Sequence, residues 1–151
     1  MSPKVGIAAT DYQALAEFRY QIRRFLRFSE EAARAAGLKP QQHQLLLLLK
    51  GLPEGVSPRV GEIAERLQIQ HHSAVELVDR LVRRGLIKRR RGGEDRREVL
   101  LELTARGEKI LTGLALLHRE ELSLAGPALV AVLRTLMART QRAARKPSAR
   151  V

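Results

Sequence analysis

Between Arg59 and Gly107 two short apolar stripes stand back to back with almost nothing between them, which leaves the chain few folds to adopt. Val60, Ile63, Ala64 and Leu67 recur at spacings of three and four, as do Ala74, Leu77, Val78 and Leu81, so each set makes one apolar face on a short helix. The break at Gln68 to Gln70 is brief and holds no proline, which suits the tight turn between paired helices. Gly85 predicts a left-handed cap that stops the second helix. Leu86-Ile87 then opens a strand running into Lys88-Arg89-Arg90-Arg91, Gly92-Gly93 permits a hairpin turn, and Glu98 to Leu103 alternates as the return strand. Helix, turn, helix and basic hairpin make a winged helix.

Geometry and charge together connect such a unit with DNA. A helix fits the major groove and presents its first residues to base edges, while an arginine-bearing hairpin reaches a neighbouring minor groove or the phosphates. Lys88 to Arg91 and Arg96-Arg97 place cations on both limbs, and phosphate neutralisation gives sequence-independent affinity. The whole chain agrees, with a formal net charge of +12 over 151 residues, which favours a polyanionic partner.

The remaining segments read as support. A long helix is predicted from Thr10-Asp11 to Gly37, with Leu15, Phe18, Ile22, Phe25, Ser29, Ala32 and Ala36 as a coiled-coil-like seam, and residues 1–9 as a loose arm. All five aromatic residues, Tyr12, Phe18, Tyr20, Phe25 and Phe28, fall in it. They fill a core or a dimer seam, or else wall an effector pocket. Lys39-Pro40 starts a second helix, with proline at its first position, and the Leu45 to Leu49 run, apolar all round, predicts burial between other helices. Ser57-Pro58 reads as a cap and start for the helix at Val60. Thr104 caps a helix carrying Ile110, Leu114, Leu117, Glu121 and Leu124, weakened at Gly113, and Gly126-Pro127 restarts the chain as a last helix through Leu129, Val132, Leu133, Leu136 and Met137. The basic tail from Arg139 to Arg150 is expected to fray.

The run Asp95-Arg96-Arg97-Glu98-Val99-Leu100-Leu101-Glu102-Leu103-Thr104-Ala105-Arg106-Gly107 resembles the wing signature of the MarR family of bacterial transcription regulators, an Asp-x-Arg followed by Leu-Thr-x-x-Gly. Val78-Asp79-Arg80-Leu81 with Gly85-Leu86-Ile87 resembles that family's recognition-helix exit, and the likeness runs from about Tyr12 to Met137. It implies a single MarR-like domain, mainly α with a small β-hairpin wing, in which residues 39–103 form the winged helix-turn-helix lobe and residues 10–37 and 104–144 the dimerisation helices. The first helix and the last two carry more apolar surface than one small domain hides, so a second copy is the economical cover. The resemblance implies the same homodimer, and its operator should be an inverted repeat with half-sites roughly 34 to 36 Å apart.

His71, His72 and Ser73 occupy the first turn of the second helix, where side chains in this family approach base edges; the competing reading is solvent exposure, with Ser73 as a cap. Neighbouring histidines point about 100° apart and share no helical face, and no His or Cys cluster stands near them, so no metal is expected. Arg97 is placed in the minor groove, with Asp95 holding it by a charge-assisted hydrogen bond or simply forming the turn. Arg89, Arg90, Arg91 and Arg96 read as phosphate positioners or solvated charges. Glu76 departs from the basic or neutral residue often found there in the family, and either accepts from a cytosine amino group or repels phosphate. Arg80 reads as a brace to an acidic neighbour, and His43 and His118 as structural or exposed.

Three functions follow in order. The first is a homodimeric, sequence-specific regulator of transcription, a repressor released by a small-molecule effector. That effector would sit among the first helix, the second helix near His43 and the start of the helix after Thr104. The second is a non-specific architectural nucleic-acid binder. The third, an enzyme, finds no nucleophile with a base, no phosphate-cradling glycine motif and no paired carboxylates. No cofactor is expected. The absence of cysteine excludes disulfides and thiol-based redox sensing. No leader pattern and no apolar run of the ~20 residues that span a bilayer is read, so a cytoplasmic protein with no membrane partner is expected.

Overall fold

The computed structural model describes residues 6–92 and 95–145. In chain order it has α1 (Ala9–Ala35), α2 (Pro40–Lys50), α3 (Val60–Leu67), α4 (His71–Arg83), β1 (Ile87–Arg91), β2 (Val99–Leu103) and α5 (Ala105–Arg145). The chain is thus mainly α with one antiparallel hairpin, as its patterns predict. It divides into two compact units, one of Ser29–Leu117 and one made of the residues up to Phe28 with those from His118 onward.

In the Ser29–Leu117 unit the two apolar stripes meet. Ile63 and Ala64 of α3 and Ala74, Leu77, Val78 and Leu81 of α4 join Leu45 and Leu46 of α2 in one buried cluster, closed by Leu86, Ile87, Leu101, Leu111 and Leu114. The Leu45–Leu49 run is less buried than predicted. Leu47 is 49% exposed and Leu48 and Leu49 are half-buried, because the helices around α2 cover only part of its circumference.

Helices α1, α3 and α4 end alike. Leu38 donates to the Ala33 carbonyl and Gly37 to Arg34, Ile69 to Ala64 and Gln68 to Glu65, Leu86 to Leu81 and Gly85 to Val82, in each case around a left-handed residue: Gly37, Gln68 or Gly85. The pattern satisfies carbonyls that a helix end leaves open. In β1 and β2, Ile87 pairs with Leu103, Arg89 with Leu101 and Arg91 with Val99. The N–H of Leu101 donates to the Pro58 carbonyl at 2.9 Å, so the segment before α3 lies along the free edge of β2. This corrects the expected cap: the N-cap of α3 is Arg59, whose N–H donates to the Ser57 carbonyl at 2.8 Å in a tight turn at Pro58, and the Pro58 carbonyl is tied to the wing. Thr104 does cap α5, its Oγ1 accepting from Gly107 N–H at 3.1 Å.

The second unit is helical and thinly cored. Ala14 and Val132 are its buried apolar residues, while Phe18, Ile22, Phe25, Phe28, Leu129 and Leu136 are half-buried. The predicted break at Gly126-Pro127 is absent; α5 continues to Arg145 with Pro127 inside it. The less exposed positions, His118, Glu121, Ala125, Leu129, Val132, Leu136 and Arg139, keep spacings of three and four straight through, and Pro127 lies on the exposed side, where an interrupted helix ladder is tolerated. Arg139 is not frayed. Its guanidinium donates to Asp11 Oδ1 at 2.9 Å, and the helix persists six residues further. The rest of the expected tail, Lys146 to Arg150, and residues 1–5 of the expected arm lie outside the described residues.

A further correction concerns hydropathy. Within Ala105–Arg142 an 18-residue stretch reaches a mean hydropathy of 1.4 with 6% of it buried, so α5 is long and apolar enough to cross a membrane by length and composition. The sequence reading divides this stretch at Gly126-Pro127, and so does not take Leu122 to Ala138, which holds one charge at Arg134, as a single apolar run. Leu122, Leu124, Val130, Leu133 and Met137 are the residues it exposes beyond His118.

Candidate nucleic-acid interface

Gln70, in extended conformation, precedes α4 and makes no side-chain cap, so His71, His72 and Ser73 are the first three residues of the helix proper. Ser73 is therefore not the capping residue that the competing reading supposes. His71, His72 and Glu76 are exposed, and Ser73 is half-buried. Farther along, Arg80 and Arg83 are exposed too, while Asp79 is half-buried. The apolar side of α4 is fixed by Ala74, Leu77, Val78 and Leu81 in the core, which forces the opposite face outward.

The hairpin cations are largely committed. Arg89 bonds Asp79 on α4, and Lys88 and Arg90 both reach Glu102, with Lys88 Nζ at 3.4 Å. The register explains the division. Lys88 lies opposite Glu102 and shares a face with Arg90, whereas Arg89, opposite Leu101, is on the other face. Arg91 Nη1 donates to the Arg96 carbonyl at 3.2 Å. Arg59, at the start of α3, pairs with Glu98 at 2.8 Å.

At the tip, Asp95 forms the turn. Its Oδ1 accepts from the Arg97 backbone N–H at 3.0 Å, and its carbonyl accepts from Glu98 N–H at 3.1 Å. The expected hydrogen bond to the Arg97 guanidinium is not what this carboxylate makes. A short acidic side chain two residues back reaches the backbone more readily than the end of a long arginine. Arg96 and Arg97 are exposed, and among the described residues no carboxylate pairs with either. Gly92 is required by close approach, since a β-carbon there would stand 2.8 Å from the Asp95 carbonyl oxygen. Gly93 lies outside the described residues.

The structure thus brings His71, His72, Glu76, Arg89, Arg91, Asp95, Arg96 and Arg97 onto one unit, but in two roles. Arg89, Arg91 and Asp95 hold the wing in shape; His71, His72, Glu76, Arg96 and Arg97 point charge or hydrogen-bonding groups at solvent. Sequence reasoning missed the two ion pairs that tie the hairpin to the helices, Arg89–Asp79 and Arg59–Glu98. It also missed buried Gln42, whose Oε1 accepts from Lys39 N–H and from Arg84 Nη1, both at 3.0 Å. The only advance signal was a carboxylate and an arginine on neighbouring elements. The expected brace from Arg80 gives way to one from Arg89, which takes the acidic neighbour Asp79. His43 is buried, and the ring of His118 meets Phe25 and Phe28 edge-on, at centroid distances of 6.0 and 5.4 Å. No group of three or more His, Cys, Asp or Glu suited to a metal occurs among the described residues.

Comparison with known proteins points one way. A MarR family model matches residues 36–98, the stretch that holds α2 to the hairpin tip. The transcriptional repressor MdtR of Bacillus subtilis is 34% identical over 87 residues, 55% of this chain and 54% of its own length. The chain therefore spans about half the length of that curated relative. A solved MarR family transcription regulator superposes with a TM-score of 0.67 at 26% identity, covering 87% of this chain and 85% of its own. The MepR–DNA complex of S. aureus matches at a TM-score of 0.61 over 91% of this chain and 96% of that one, and at 19% identity the likeness is one of fold. With a family model over its helix-turn-helix and a solved family member superposing along most of both chains, the chain is similar to the MarR family of winged helix-turn-helix transcription regulators.

Proposed function

We propose that the chain is a homodimeric, sequence-specific DNA-binding regulator of transcription, a repressor released by a small-molecule effector. The observation that carries the reading is the pairing, on one unit, of an outward-facing first turn of α4 with a braced hairpin whose tip exposes Arg96 and Arg97. A helix N-terminus enters the major groove, and a cationic wing takes the flanking backbone or minor groove. MepR in its DNA complex and MdtR as a named repressor support the partner and the sign of regulation.

Dimer formation is supported by the apolar residues exposed on α1 and α5, among them Tyr12, Leu15, Leu124 and Met137. A second copy would cover them, and the same need explains the high mean hydropathy of α5 without a bilayer. An effector releases DNA only by binding the DNA-incompetent form better than the competent one. A cavity of about 500 Å³ in the Ser29–Leu117 unit is large enough for a small organic molecule. Leu52 and Val56 wall it beside Leu101 and Leu103 of β2, and Lys50 and Glu108, 2.6 Å apart, flank it, so its occupant would press on the wing.

The experiment is fluorescence anisotropy of the purified protein on duplex DNA from upstream of its own gene and on a scrambled duplex, at low and physiological salt. A preference of ~1000-fold or more that survives the higher salt is expected of a specific regulator. Equal affinity for that duplex, for the scrambled one and for sites recovered by genome-wide selection would leave an architectural binder instead.

A further inference from the structure

We infer that Glu76 sets one base of the operator by accepting a hydrogen bond from a cytosine amino group in the major groove; the inference rests on the DNA-binding reading above. Glu76 is exposed on α4, one turn beyond His72 and one turn before Arg80, on the face that the core leaves outward.

Like Glu76, Glu54 and Glu65 of this unit have no bonded cation among the described residues, but they lie outside α4 and the hairpin, where the other described carboxylates are engaged. Glu62 is bonded by Arg66, Asp79 by Arg89, Glu98 by Arg59 and Glu102 by Lys88 and Arg90, while Asp95 is occupied by the Arg97 backbone. Arg80 stands four residues after Glu76, the spacing at which an acid and a base on one helix readily pair, yet among the described residues no cation is bonded to Glu76. The carboxylate is left bare on the surface that meets DNA.

A bare carboxylate between two rows of phosphates opposes binding to any sequence, since like charges brought together raise the energy of the complex. Only a base that offers a donor to an acceptor-only group offsets this. In the major groove guanine shows N7 and O6 and thymine O4, all acceptors that repel a carboxylate. Adenine has one amino donor, but its N7 acceptor lies alongside. Cytosine N4 offers a donor without that neighbour, so it is the base a carboxylate selects. Glu76 would act in both directions, weakening the grip on wrong sequences and adding a bond on the right one.

Selection from randomised duplexes tests this, run in parallel on the full-length wild type, Glu76→Gln and Glu76→Ala, with circular dichroism to verify that each variant is folded. The wild type should enrich cytosine at one position of each half-site, and anisotropy on duplexes altered there should show a preference of roughly 5- to 150-fold over the other bases. Glu76→Gln should move the selection toward adenine, because an amide both donates and accepts and so matches N6 and N7. Glu76→Ala should lose preference at that position alone and bind a scrambled duplex more tightly than the wild type does. An identical motif from all three proteins overturns the role of Glu76 and leaves the DNA-binding reading standing. No motif from the wild type overturns both.

Discussion

Gly107 lies directly against Leu86: a β-carbon on Gly107 would overlap the Leu86 carbonyl oxygen and stand 3.1 Å from its carbonyl carbon. That carbonyl cannot step aside, since it accepts from Thr104 N–H at 3.0 Å, and Thr104 Oγ1 in turn bonds the Gly85 carbonyl at 2.7 Å. The end of α4 and the start of α5 are locked through one missing side chain.

Gly107→Ala should therefore destabilise the protein by roughly 1–3 kcal/mol, the usual cost of forcing atoms into a packed site. Helix propensity alone predicts the opposite, a gain of about 1 kcal/mol for alanine over glycine. The sign of the shift in a urea midpoint decides between them.

The bond between Arg89 and Asp79 makes wing position a property of α4. Asp79→Asn and Arg89→Ala should each weaken operator binding several-fold, and the double variant should lose little more than either one. Both side chains are near two-fifths exposed, so the effect on stability should stay within about 1 kcal/mol. A double-mutant cycle on DNA affinity checks this; fully additive losses would mean that the pair does not position the wing.

Arg97 and Asp95 should separate cleanly. Arg97→Ala should weaken operator binding and blunt discrimination at the wing-contacted flank, with no change in stability. Asp95→Ala should reach a similar binding defect through the turn, whereas Asp95→Asn, which keeps an acceptor for the Arg97 N–H, should retain most of the affinity. Anisotropy on flank-substituted duplexes is the measurement.

If a second copy covers α5, charge placed on its exposed apolar face should prevent pairing. Leu124→Arg with Met137→Arg, at positions 75% and 60% exposed, should yield a folded monomer by sedimentation in detergent-free buffer, with operator affinity lowered by at least tenfold. Insolubility of the wild type without detergent would instead favour the bilayer reading of α5.

Acid should loosen the helical unit through Asp11. The Arg139 guanidinium, with help from the Ala8 N–H, holds its carboxyl below the ordinary value of 3.8. A carboxyl depressed on folding adds stability above its unfolded-state value, and that contribution is lost as pH falls through the folded one. Asp11→Asn should be less stable than the wild type near neutrality and converge with it in strong acid. Parallel thermal melts from pH 7 downward would reveal the convergence.

Much of the fold could be read from local spacing. Val60 to Leu67 and Ala74 to Leu81 each carry their periodicity within a few residues, and Gly85 marks its own turn, so helix-turn-helix and hairpin followed directly. What escaped depended on partners far apart in sequence. Asp79 and Arg89 are ten residues apart and Arg59 and Glu98 much farther, and nothing local distinguishes a paired arginine on a hairpin from a free one. The continuity of α5 was hidden for a different reason: Gly126-Pro127 is a strong local stop signal, overruled by an apolar stripe that stays in phase across it. In the candidate site, the exposure of His71 and His72 was legible from the buried stripe opposite, while the turn-forming role of Asp95 needed the backbone geometry.

The turn before α4 uses a residue with a side chain where the ends of α1 and α4 use glycine. Gln68 adopts φ 55°, and its Nε2 returns to the Glu65 carbonyl at 2.8 Å. A β-carbon in the left-handed region costs about 1 kcal/mol or more in the native state, yet glycine there would give the denatured chain more conformations to lose on folding. The choice of glutamine thus acts partly on the unfolded ensemble, narrowing it at the hinge between two helices too short to persist in isolation.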